Sequence, residues 1–289
     1  MKTICTLLLS MVFGLSAGAE SAIWKITSAD KPFYLAGSCH VLKKSHYPLP
    51  AEYEKAYTEV KQLYFETDLD NFNMAKVQKL MARAAMLTNG KTLQTSLSED
   101  TWKQLAAYAE KTGLPLDKFQ VFKPWMVTFM IMMTELQKQG IDPMHGLDMY
   151  FSNKARADGK TVGGLETPEA HVHALSAFDE ALSEDMVKST LEQVDQLAGE
   201  AEKLVNAWRA GDMKKIDGFV SGSMRQEYPD LYKRLLVDRN RNWVPDIEKL
   251  IQSGVPTMIV VGAGHLVGED SVNRMLEAKG HRIEQYRLE

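Results

Sequence analysis

Thr257-Met258-Ile259-Val260-Val261 runs directly into Gly262-Ala263-Gly264-His265. Four of the first five residues are β-branched, and Pro256 and the glycines bound the run. That is a short strand buried on both faces; a helix would need a longer amphipathic repeat. Near the other end, Phe33-Tyr34-Leu35-Ala36 leads in the same way into Gly37-Ser38-Cys39-His40. Two apolar strands with the same Gly-x-x-His exit suggest neighbours in one sheet, although some 220 residues separate them.

The rest of the chain fits around this pair. Residues 23–27 and 33–36 read as a hairpin about Ser28-Ala29-Asp30-Lys31. Residues 62–65 form a short apolar run ending in Glu66-Thr67-Asp68, and residues 161–165 another ending in Glu166. A helix over 269–279 and a strand over 282–286 close the chain. Helices are expected over 51–61, over 98–111 between a Ser98 cap and a Gly113 stop, over 124–139 opened by Pro124, and over 146–157. From 168 to 251 the chain reads as almost all helix. Val194, Leu197, Ala198, Ala201, Leu204, Val205 and Trp208 make one apolar stripe there, with Gly211 as stop and Asp212 as the next cap. No linker rich in Pro, Gly or Ser divides the chain. The expectation is one α/β domain over 20–289, with a central mixed sheet, flanking helices and a large helical insertion at about 97–254.

Met1-Lys2-Thr3, the apolar run 4–15 and Ser16-Ala17-Gly18-Ala19 have the three parts of a secretory signal peptide, with cleavage expected after Ala19. No other segment reaches the ~18 apolar residues of a membrane span. The expected location is therefore periplasmic or secreted. Cys5 would leave with the leader, so Cys39 has no partner for an internal disulfide. A net charge of −4 leaves no electrostatic footprint for nucleic acid.

Four polar residues share one context. His40, Glu66, Glu166 and His265 each stand at the exit of a strand. Open α/β sheets bind ligands beyond the carboxyl ends of their strands, so parallel strands would gather all four on one rim. Singly, a Gly-x-x-His is a common coincidence and an acid at a strand end is often a helix N-terminal charge; the joint pattern carries the argument. His40, His265 and Glu66 make a donor set for a catalytic divalent metal, with Glu66 or Glu166 available for acid–base work. Manganese, cobalt or zinc would each suit such donors. The glycines are expected to supply positive φ and close backbone approach. Arg239, Asn242 and Trp243 share a helix face by spacing and could hold a substrate carbonyl or carboxylate. His46, His145, His171, His173 and His281 read as structural or solvated. His-Glu-x-x-His and Walker-type loops are absent from the sequence, and Gly-x-Ser-x-Gly occurs only at residues 14–18, inside the expected leader.

Several longer segments occur in order: Tyr34-Leu35-Ala36-Gly37-Ser38-Cys39-His40-Val41-Leu42, Tyr47-Pro48-Leu49-Pro50, Phe65-Glu66-Thr67-Asp68, Gly146-Leu147-Asp148, Gly164-Leu165-Glu166-Thr167, Leu236-Val237-Asp238-Arg239-Asn240 and Val261-Gly262-Ala263-Gly264-His265-Leu266. Together they resemble the TraB/GumN family, which includes the Tiki metalloproteases, from about residue 22 to the C-terminus. The resemblance implies a fold similar to erythromycin esterases and ChaN-like proteins. It also implies metal-dependent peptidase activity in some members, with His40, His265 and Glu66 in the metal-holding positions. Cys39 departs from the residue types usual before the first His. The expected function is a secreted or periplasmic metal-dependent hydrolase with a peptide or small-molecule substrate. The alternatives are a non-catalytic protein that sequesters a peptide or small ligand, and an esterase on the same scaffold.

Overall fold

The computed structural model describes residues 21–288 apart from 177 and 179. The expected leader and its cleavage point lie outside the described residues. Six strands make one mixed sheet: β1 (Ile23–Ile26), β2 (Phe33–Ser38), β3 (Gln62–Thr67), β4 (Thr161–Glu166), β5 (Thr257–Gly262) and β6 (Ile283–Gln285), in the order β4-β3-β5-β2-β1-β6. β2, β5, β3 and β4 are mutually parallel, while β1 is antiparallel to β2 and β6.

The pairing of β2 with β5 follows the sequence motif residue by residue: Gly37 stands beside Val261 and Ser38 beside Gly262. Every residue of β2 and of β5 is buried, as expected for parallel strands covered by helices on both faces. Because the four parallel strands run the same way, their exits lie on one edge of the sheet.

The glycine at the end of β2 is a packing requirement. A Cβ on Gly37 would lie 2.8 Å from the Ala22 carbonyl oxygen and 3.1 Å from Ala263 Cα. The Gly37 carbonyl accepts hydrogen bonds from Tyr53 and Trp208, each at 2.7 Å, which tie two helices to this strand end. The expected positive φ is not found: Gly37 is outside the left-handed region, and Gly262 has φ −48°. What these two positions need is room for neighbouring atoms.

The helices expected from caps and stops are present. Ser98 caps Glu99–Thr112, which ends at a left-handed Gly113, and Asp212 caps Met213–Asp217. Asp70 caps a further helix, Asn71–Ala85, beyond those expected. The C-terminal helix is shorter than expected, Val272–Glu277.

The stretch 97–254 divides into two helical runs on either side of β4, which is an edge strand of the main sheet. The first run packs about a small core built on Leu93, Leu105, Val127 and Ile131, to which Leu191 and Val194 of the second run also contribute. The second run sends Val205 and Trp208 from Leu197–Arg209 into the main core beside β2. It also contains two π-helical turns, Gly218–Gly222 and Lys233–Val237. The latter leads straight into the helix Asp238–Gln252, which carries Arg239 to the strand exits. Among the described residues, no helix is long and apolar enough to cross a membrane.

Candidate active site

Glu66 is the centre of the rim. It sits at the end of β3, between the exits of β4 and β5, and it is buried. Its two carboxylate oxygens face different neighbours. Oε2 accepts from Arg239 Nη2 at 2.5 Å, and Oε1 accepts from the Gly262 backbone N–H at 2.9 Å. Oε1 also faces His40 Nε2 at 3.5 Å and His265 Nε2 at 3.7 Å. Burial alone would raise the Glu66 pKa. Arg239, with His40 beside it, more than offsets it and holds the carboxyl well below the usual range.

Arg239 joins the two strand-end acids. Its Nη2 also donates to Glu166 Oε1 at 2.6 Å, and its Nε to Glu166 Oε2 at 3.2 Å. Burial disfavours the guanidinium charge, but Glu66 and Glu166 raise its pKa above the ordinary value. Glu166 accepts in addition from Trp243 Nε1 at 3.2 Å, and it lies 2.8 Å from His171 Nδ1. Burial raises Glu166, and the bonds to His171 and Arg239 bring it below the usual range. Both acids are therefore ionised at neutral pH.

The two imidazoles are held from behind. His265 is buried, and its Nδ1–H donates to Asn240 Oδ1 at 2.6 Å. The Asn240 amide in turn donates to the Asp270 carbonyl at 2.8 Å. This fixes the tautomer, so His265 Nε2 is the acceptor and takes Arg239 Nη1–H at 3.1 Å. The Trp243 ring packs against the imidazole at 4.5 Å between centroids. Burial pushes His265 down to about 3, so it is neutral.

His40 is the contrast, with 55% of its side chain exposed. Its Nδ1 meets Asp148 Oδ2 at 2.8 Å, and the same oxygen accepts from Ser38 Oγ at 2.6 Å. Asp148 is the main cause that raises His40 to about 9. Asp148 reaches the site because the helix Leu147–Ala157 starts against the His40 backbone. A Cβ on Gly146 would lie 2.2 Å from the His40 carbonyl oxygen.

These contacts decide where a cation could sit. The ligand atoms of Glu66, Glu166 and His171 lie within 4.8 Å of one another. That group already surrounds Arg239 Nη2, which is 3.4 Å from His171 Nδ1. A permanent cation occupies its centre. On the other side of Glu66, each imidazole Nε2 faces Oε1, and each ring's outer nitrogen is hydrogen-bonded to an oxygen, as is usual for metal-holding imidazoles. Three carboxylates, Glu66, Glu166 and Asp148, meet one guanidinium here. Once His40 gives up its proton the cluster has an excess of two negative charges, which suits a divalent ion. Engaging His265 Nε2 would require its bond from Arg239 to be exchanged.

The structure brings together His40, Glu66, Glu166, His265, Arg239 and Trp243. Asn242 is exposed on the far face of its helix; the amide that enters the site is its neighbour two residues back, Asn240. His171, read from sequence as structural or solvated, stands against Glu166. Asp148 and Asn240 support the imidazoles, and both lie on helices that only the fold carries to the rim. Their one sequence signal is membership of the segments Gly146-Leu147-Asp148 and Leu236-Val237-Asp238-Arg239-Asn240.

Comparison with known proteins gives this geometry a context. The TraB/PrgY/gumN family model matches residues 22–285. The uncharacterized protein YbaP of Escherichia coli is 23% identical over 86% of this chain and 88% of its own length. Metalloprotease TIKI2 of Danio rerio is 24% identical over 92% of the chain, and metalloprotease TIKI1 of Homo sapiens is 22% identical over 92%. The matches cover 61% and 62% of those two longer proteins. No solved structure matches the chain, so the likeness to erythromycin esterase and ChaN-like folds stays with the sequence resemblance.

Proposed function

We propose, for a chain that belongs to the TraB/PrgY/gumN family, metal-dependent hydrolysis of peptide bonds at this rim. One observation carries the reading. Two imidazoles with bonded outer nitrogens face the same carboxylate oxygen, Glu66 Oε1, inside a cluster with excess negative charge. The similarity to Tiki metalloproteases supports it.

His40, Glu66 and His265 would hold the ion, and manganese, cobalt or zinc would each suit these donors. Such an ion supplies Lewis-acid polarisation of a carbonyl and a more acidic water. The protein's own groups do the rest. Arg239 fixes Glu66 through Oε2 and leaves Oε1 toward the imidazoles. Glu166, Trp243 and His171 hold the guanidinium in place, so Arg239 and Glu166 are positioning residues. Asn240 keeps the His265 lone pair turned inward, and Asp148 holds the His40 ring with Nε2 toward Glu66 Oε1. Hydrolysis adds water across the C–N bond and yields a carboxylate and an amine.

A secreted or periplasmic location is part of the proposal and rests on the leader pattern in residues 1–19. The test is a peptide-library digest read by mass spectrometry, with manganese, cobalt or zinc added and with chelator. Metal-dependent cleavage is expected. Peptide binding without cleavage would move the reading to a sequestering protein, and ester cleavage without peptide cleavage to an esterase.

A further inference from the structure

The two imidazoles also border a recess. Its volume is about 220 Å³. Val41, Leu204, Trp208, Val220, Leu236 and Ala263 form its walls, with His40 and His265 also on its lining. Apart from the two imidazoles, its polar wall side chains are already engaged. Ser38 Oγ donates to Asp148, the Cys39 thiol to the Val41 carbonyl at 3.3 Å, and Trp208 Nε1 to the Gly37 carbonyl. Among the described residues, none of the buried side-chain atoms that lack a hydrogen-bond partner belongs to this lining. Away from the imidazoles such walls offer water few partners, and an apolar cavity of about 150 Å³ already holds a benzene-sized group.

The walls are built. Trp208 is fully buried and fixed by its indole N–H. A Cβ on Gly264 would lie 2.4 Å from Val220 Cγ1, so the glycine after β5 lets the π-helical turn Gly218–Gly222 close the recess. The loop that carries His265 therefore also forms the wall of the recess.

We infer that this recess receives an apolar side chain, of leucine, methionine or phenylalanine size, from a peptide bound across His40 and His265. The inference rests on the peptidase reading above and names the side chain that selects the substrate. An apolar surround with a few polar groups at one end is the usual form of a small-ligand pocket. A leucine-for-alanine difference spans several methyl or methylene groups, each worth a measurable factor in kcat/KM.

Two readouts test it on the full chain. The first is kcat/KM for a peptide series that varies one residue on either side of the cleaved bond among Gly, Ala, Leu, Met, Phe, Asp and Lys. The second is independent of cleavage: the methyl NMR signals of Val220 and Leu236, titrated with N-acetyl-leucinamide and with N-acetyl-glycinamide. At one flanking position, Leu, Met or Phe should exceed Ala by tenfold or more, and only the leucine compound should shift the methyl signals saturably. Val220→Phe should reduce the leucine-to-alanine ratio at least tenfold by filling the recess. Leu236→Ala should move the preference toward Phe by enlarging it. Cleavage indifferent to both flanking residues, or equal response to the two amides, would overturn the inference. Saturable methyl shifts without any cleavage would sink the peptidase reading and leave the recess as the side-chain receptor of a peptide-binding protein.

Discussion

The Arg239 guanidinium lies between two buried carboxylates, and its removal would take from both the charge they share. Breaking a buried ion pair from one side costs about 3–5 kcal/mol. Arg239→Ala should therefore lower unfolding free energy by that amount in urea denaturation, whereas Asn242→Ala on the exposed face should change it little. The imidazoles make opposite pH predictions for the metal-free protein. His40 is raised to about 9, so its contribution is complete below the unfolded pKa of ~6.5 and is lost as pH rises toward 9. His265 is lowered to about 3, so its contribution is present above ~6.5 and is lost as pH falls toward 3. Glu66 and Glu166, both depressed, add to the acid-side loss. Unfolding free energy against pH should peak near neutrality and fall on both sides, with an NMR titration of His40 centred near 9. A flat profile from pH 5 to 9 would contradict these assignments. At this scale the strand-exit residues are legible in the sequence, because their position relative to short apolar runs is local. His171, Asp148 and Asn240 are not, since their roles depend on where whole helices dock.

The two strand-exit glycines differ in what surrounds them, and that predicts different outcomes for one substitution. At Gly37 the obstacle is backbone, the Ala22 carbonyl and Ala263 Cα, which cannot move without shifting β1 or the β5 exit. Overpacking of that kind costs about 1–3 kcal/mol. At Gly262 the nearest atom is His40 Nε2, 2.7 Å from the added Cβ, on a half-exposed side chain that can swing aside. Gly37→Ala should thus appear mainly as lost stability in urea, and Gly262→Ala mainly as weaker divalent-ion binding by calorimetry. The reverse pattern would show that the rim is not arranged as described. Strands β2 and β5 and their pairing are legible because both are uniformly apolar and share an exit. The helix Asn71–Ala85 also has a local signal, an Asp70 cap and apolar Met74, Val77, Met81 and Ala84 at helical spacing, although the expectations above omit it. The reason for Gly at the exits is not legible, because packing by a distant chain segment leaves no local trace.

Taken as a molecule, the chain places its chemistry where four parallel strands end and uses two helical runs to bring Arg239, Asn240 and Asp148 to that edge. Within 97–254, β4 separates the two helical runs and delivers Glu166. The central claim is that the ion belongs on the His40–Glu66–His265 side of Glu66 and that Arg239 fills the Glu66–Glu166–His171 side. Titration calorimetry with zinc on wild type, His40→Ala, His265→Ala and His171→Ala compares the two sides directly. Binding of one ion by wild type is expected, with affinity at least tenfold weaker in His40→Ala and His265→Ala and nearly unchanged in His171→Ala. Full affinity in His40→Ala and His265→Ala, with binding lost in His171→Ala, would contradict the account.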